Sequence, residues 1–143
     1  REMLICALKK CYGDYEAVVE GAGVSEINGR YVWVGEVDNA PKYKKSTLYQ
    51  GANVEFTLFR CKLSDNSRRW YISIVPSGHI PGTTNDTDFF AAVSGTGKEY
   101  MHPPQGGWQF IPNRSDGGGG VAPPPKVCVY SGGECINLSA GQN

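Results

Sequence analysis

Alternation with a period of two runs through the middle of the chain. Over residues 30–35, Tyr31, Trp33 and Gly35 fall on one side and Arg30, Val32 and Val34 on the other, which predicts a strand with one aromatic face. Residues 54–63 and 69–75 bracket Ser64-Asp65-Asn66-Ser67 and predict a long hairpin at the centre of a sheet. In its first arm Phe56, Leu58 and Arg60 share one face while Thr57, Phe59 and Cys61 share the other, so both faces carry apolar groups. Trp70, Ile72 and Ile74 line up in the return arm. Shorter extended stretches are predicted at 15–20, 41–45 (with Tyr43 inward), 88–93, 108–111 and 127–130.

Turn residues separate these stretches. Gly21-Ala22-Gly23 turns the chain, and Asn28-Gly29 predicts a type I′ hairpin turn because both residues tolerate positive φ. Asp38-Asn39 predicts another turn. Residues 76–88 read as a loop rich in Gly, Thr and Asn. Gly117–Gly120 reads as a flexible linker and Pro123–Pro125 as an extended polyproline path. At the start, residues 1–10 group Met3, Leu4, Ile5, Ala7 and Leu8 ahead of two lysines, which suits a short helix or a first strand, broken by Gly13 and Asp14. The expected fold is all-β, a small antiparallel sheet of barrel-like or sandwich form with a short N-terminal helix and long Gly/Pro-rich loops. It divides into an N-terminal segment (1–14), a β module (15–130) and a C-terminal tail (131–143).

Composition sharpens this picture. A chain of 143 residues fits one domain with an ordinary core. With 19 Gly and 9 Pro it favours turns over long helices, and 8 Tyr, 5 Phe and 3 Trp supply the apolar surface such a core needs. Acidic and basic residues number 14 each, so the chain lacks the basic excess with which nucleic-acid binders meet phosphates. Lys42, Lys44 and Lys45 read as a solvated edge that discourages stray strand pairing. No apolar run approaches a membrane span. The first residue is Arg1, compatible with removal of a targeting peptide (an organellar, plastid address included) or with a longer parent chain.

Five cysteines, Cys6, Cys11, Cys61, Cys128 and Cys135, leave one thiol unpaired at least. The reading favoured is small, buried, reduced side chains. Cys128 and Cys135 flank Ser131-Gly132-Gly133-Glu134, where an ideal hairpin sets Tyr130 opposite Cys135 and Cys128 opposite Asn137, so a disulfide there needs a shifted register. Asn85, Asn113 and Asn137 head N-glycosylation sequons.

Reactive constellations are weak. His79 and His102 stand alone near prolines, and the cysteine spacings match no zinc knuckle, so no metal or cofactor is expected. A Cys61–His79 nucleophilic pair is outweighed by a packed mid-strand thiol. Ser94-Gly95-Thr96-Gly97-Lys98 lacks the spacing of a phosphate loop, and Asn85, Asp86 and Asp88 lack the regularity of a calcium loop. The aromatics carry more promise. Trp33, Trp70 and Trp108 should be mostly core, but an exposed Trp108 beside Gly106-Gly107 would offer a platform to a sugar or a partner. Trp108, Trp33, Tyr43, Pro123 and Pro124 are the candidate binding residues.

Taken in order, Gly21-Ala22-Gly23, Asn28-Gly29-Arg30-Tyr31, Asn39-Ala40-Pro41-Lys42-Tyr43, Arg69-Trp70-Tyr71-Ile72, Pro103-Pro104-Gln105-Gly106-Gly107-Trp108 and Pro123-Pro124-Pro125-Lys126-Val127 resemble a poorly characterised β module. That module, often repeated, occurs in single-celled eukaryotes, photosynthetic ones included. The resemblance covers residues 15–130 and implies a compact antiparallel fold with a display or scaffold role. The Gly-rich loop, the N-terminal segment and the Cys-bearing tail depart from the pattern. The sequence is therefore expected to encode a non-enzymatic binding or structural module, an accessory subunit or scaffold domain whose partners are other protein subunits, as in a photosynthetic complex. The alternative is a carbohydrate-binding module, which requires a row of exposed aromatics.

Overall fold

The structure is a computed structural model that describes residues 15–95, 100–112 and 119–138. Nine antiparallel strands form one curled sheet, a half-barrel. They are β1 (Glu16–Glu20), β2 (Gly29–Val37), β3 (Ala40–Tyr49), β4 (Ala52–Lys62), β5 (Arg68–Ile74), β6 (Thr87–Ser94), β7 (Gln109–Phe110), β8 (Lys126–Ser131) and β9 (Glu134–Cys135). The spatial order is β7-β6-β5-β4-β3-β2-β1-β8-β9, so β1 to β6 follow the chain as a meander and β8 joins on the far side of β1. The expected all-β antiparallel class is thus observed. The expected N-terminal helix falls on residues 1–14, outside the described residues. Among the described residues no helix is long and apolar enough to cross a membrane.

Two-residue turns with positive φ at both positions hold three of the hairpins: Asp38-Asn39 (φ 55° and 58°), Gln50-Gly51 (51° and 80°) and Gly132-Gly133 (60° and 85°). Their twist matches that of the strands they join. Asn28-Gly29, expected to be such a turn, is not one. Asn28 is extended (φ −69°, ψ 145°) and caps a 3-10 turn at Ser25–Ile27. Its side chain accepts from the Ala22 amide at 2.8 Å and donates to the Ala22 carbonyl at 3.2 Å. The amide group mimics a strand partner, so the turn falls earlier, in 21–27.

The concave face is the core. Trp70, Tyr31, Tyr43, Phe56, Phe89 and Phe90 are fully buried there, each contributing about 2–3 kcal/mol of apolar transfer. Tyr49, Phe56 and Phe89 meet edge to face with centroids 5.5–5.7 Å apart. As expected, β4 is buried on both faces: Phe56 and Leu58 inward, Thr57 and Phe59 outward. Phe59 stacks on Tyr71 at 5.9 Å, and the loop after β5 covers them, close enough that a Cβ at Gly82 would lie 3.3 Å from that of Cys61.

Two straps link the flanks. Pro103 and Gln105 dock on β8 and residues 137–138, through Val127 N–H to Gln105 O and Gln105 N–H to Leu138 O, both 2.9 Å. The same segment then runs into β7, which pairs with β6. Between the two anchors, Trp108 enters the core. In the second strap Gly120 N–H donates to Ile111 O, and Gly23 N–H donates to Pro123 O at 2.8 Å. The described part of the Gly/Pro-rich region therefore drapes across the sheet. The sheet also continues beyond Tyr130 through the β8–β9 hairpin, with Tyr130 opposite Cys135 and Ser131 opposite Glu134 as the ideal register requires.

Candidate functional site

Residues facing one another across antiparallel strands project from the same face. β1 lies between β2 and β8: Ala17 faces Tyr31 and Val129, all three buried in the core. The alternate residues must point outward, with Glu16 flanked by Val32 and Tyr130, and Val18 flanked by Arg30 and Cys128. Together with the bare Gly132-Gly133 turn, this outer face encloses an open cleft of ≈ 430 Å³ lined by Glu16, Val18, Arg30, Tyr130 and the two glycines.

The cleft is mixed in character. Arg30 Nε lies 2.8 Å from Glu16 Oε1, and Arg30 stays largely exposed, so its remaining guanidinium donors face solvent. Val18 and the Tyr130 ring supply apolar surface. The Tyr130 hydroxyl is held above its ordinary pKa, chiefly by its electrostatic interaction with Cys128 and then by burial, so it remains a neutral donor at physiological pH. Val32 and Val34 extend the apolar surface along β2 at 52% and 44% exposure.

The candidate residues named from sequence are placed differently. Trp108 is 3% exposed, its Nε1 donating to Pro104 O at 2.9 Å, and Tyr43 is fully buried. Neither can stack on a ligand: Gly107, at φ 79°, turns the chain so that the indole enters the core. Trp33 is half-buried opposite Tyr43 on the inner face. Pro123 and Pro124 are exposed on the second strap. These five form no common site, and of the three tryptophans Trp70 and Trp108 are buried.

Other candidates resolve into local structure. Asp86 Oδ2 accepts from Gly82 N–H at 2.6 Å and Thr83 N–H at 3.3 Å, closing a turn, while Asp88 accepts from Ser73 Oγ at 2.6 Å. Burial, reinforced by Asp88, Asp38 and Asp86, pushes the Cys61 thiol up to about 11, far from an activated nucleophile. His102 packs edge-on against Tyr15 at 4.9 Å, and burial lowers its pKa, so it is neutral. Among the described residues no group of three or more His, Cys, Asp or Glu is arranged to hold a metal.

Sequence reasoning passed over Glu16, Val18, Arg30 and Tyr130. The alternation of Glu16, Val18 and Glu20 against Ala17 and Val19 was the available signal, but the partners emerge only with the β1–β8 pairing. Asn137, noted as a sequon, is 6% exposed and fully engaged: Oδ1 accepts from Val129 N–H, and Nδ2 donates to Pro103 O and Val127 O, all at 2.8–2.9 Å. Its amide nitrogen is not open to a glycan in the folded chain. No protein-family model, curated protein or solved structure matches this chain.

Proposed function

We propose that the chain is a binding and structural module, an accessory subunit or scaffold domain that works by contact with other protein subunits and not by turnover. The observation that carries this reading is the filling of the concave side by Trp70, Tyr31, Tyr43, Phe56, Phe89 and Phe90. Among the described residues the concave side is filled by these side chains, so this reading puts recognition on the outer face, where the Glu16–Arg30 pair, Val18 and Tyr130 line a cleft. Membership of a photosynthetic complex is the narrower version and rests on the sequence resemblance alone.

The test is capture of interacting proteins from the native source, followed by affinity measurement with the captured protein. Arg30→Glu combined with Tyr130→Ala is expected to weaken binding about tenfold or more. Because both side chains reach solvent, the thermal midpoint should stay within a degree or two. Unchanged affinity in the double variant removes the cleft from the proposal. Binding to a glycan array in place of a protein overturns it.

A further inference from the structure

Asn28 is the one asparagine of the chain that a glycine follows, and Gly29 has no side chain to hinder attack by its backbone nitrogen on the Asn28 amide carbon. Asn-Gly is for that reason the dipeptide most open to self-catalysed loss of the amide. Here the fold uses both residues. Gly29 has φ 128°, a value that residues with a side chain avoid, and it opens β2 opposite Val19. The Asn28 side chain clasps Ala22, Oδ1 accepting from its N–H at 2.8 Å and Nδ2 donating to its carbonyl at 3.2 Å. The Asn28 backbone N–H adds a bond to Ser25 O at 3.1 Å. Bringing Asn28 Cγ onto the Gly29 nitrogen means breaking both contacts with Ala22. The next amide along, Gly23 N–H, anchors the second strap through Pro123 O at 2.8 Å, so the clasp also steadies the end of that strap.

We propose that Asn28 is a modification site gated by the fold: it keeps its amide while the clasp is closed, converts to aspartate and isoaspartate when the loop opens, and on conversion loosens the second strap. In the open loop the Gly29 nitrogen gives its proton to solvent and attacks Asn28 Cγ. The bond from Cγ to the amide nitrogen breaks, and that nitrogen takes up a proton and leaves as ammonia. A cyclic imide remains. Water then adds to either imide carbonyl and the ring opens, so water is consumed, ammonia is released and nothing is oxidised or reduced. This assignment is independent of the binding role proposed above.

Either product undoes the clasp. An ionised carboxylate only accepts, so the donor to Ala22 O is lost and negative charge faces that carbonyl. Isoaspartate further inserts a carbon into the backbone just before Gly29 and disturbs its register with Val19. The native rate equals the unfolded rate multiplied by the fraction of time that the loop stands open, so folding should slow conversion about tenfold or more.

The test incubates the whole chain at mildly alkaline pH beside a sample unfolded in guanidinium chloride, and follows every asparagine by peptide mapping. Asn28 should convert first in the unfolded sample and keep its amide in the native one over the same interval. Amide hydrogen exchange then reads the consequence: in Asn28→Asp, the Gly23 N–H should exchange about tenfold faster than in wild type. If that variant does not fold, the same exchange is measured on the converted molecules of an aged wild-type sample. Equal rates in the native and unfolded chains overturn the proposal. So does another asparagine converting ahead of Asn28 in the unfolded chain, or unchanged Gly23 exchange after conversion.

Discussion

Thr57 sits at the middle of β4, fully buried, with a hydroxyl that has no protein hydrogen-bond partner. Burying such a group costs more than burying a methyl of the same shape. Thr57→Val should therefore stabilise the fold by about 1 kcal/mol, read from urea unfolding. Asp86 makes a different test. Burial is the main cause that raises its carboxyl pKa, with the Gly82 and Thr83 amides opposing it. The folded state thus keeps the proton to higher pH than the unfolded chain. Its contribution is present below the ordinary carboxylate value of about 3.9 and is lost as pH climbs through the raised value. Asp86→Asn retains an acceptor for the two amides and removes the titration. Relative to wild type, the variant should gain stability as pH is taken from about 4 to about 7, measured by denaturant midpoints. A flat difference would show that the carboxyl does not titrate abnormally. Burial of Thr57 was not visible in the sequence, because it depends on tertiary packing over the outer face, and Asp86 stood out there only as one of three oxygen-bearing residues too irregular for a calcium loop.

Asp38 shows how a hairpin turn serves the sheet around it. As the first residue of a turn at positive φ it suits a type I′ corner. Its carboxylate then receives Arg60 Nε and Arg68 Nε, both at 2.9 Å, while Arg60 also donates to Asp38 O and to Tyr100 O. Arg60 is nearly buried beside Trp70, so its charge needs this partner. Asp38→Asn preserves the turn chemistry and removes the charge, and should cost about 3 kcal/mol in chemical unfolding. The element scale was also where the sequence was most legible. The β4–β5 hairpin, the Asp38-Asn39 turn and the aromatic face of β2 all follow from local period and turn chemistry. Gln50-Gly51 escaped notice because Gln carries no turn signature. Asn28-Gly29 misled because an Asn side chain can bond the backbone of a loop as well as it can occupy a left-handed turn.

The half-barrel as a whole depends on backbone passing close to backbone. Gly120 approaches β6 so closely that a Cβ would collide with the Phe89 carbonyl, and Gly23 meets the carbonyls of Val121 and Ala122 in the same way. Gly120→Ala should lower stability by about 2 kcal/mol, and Gly23→Ala by a similar amount, in thermal or urea unfolding. The contacts are rigid on both sides, so relaxation offers little relief. None of this was visible in the sequence, where the tract reads as a free linker by composition. The pairing of β8 with β1 joins residues more than a hundred positions apart and leaves no local trace. The outer cleft depends on that pairing, so it was hidden for the same reason. The two outermost strands, Gln109–Phe110 and Glu134–Cys135, are only two residues long. A neighbouring copy that adds to either of these strands finds a ladder of only two residues, so many such molecules held side by side at high local concentration should stay separate instead of zipping into fibres through them.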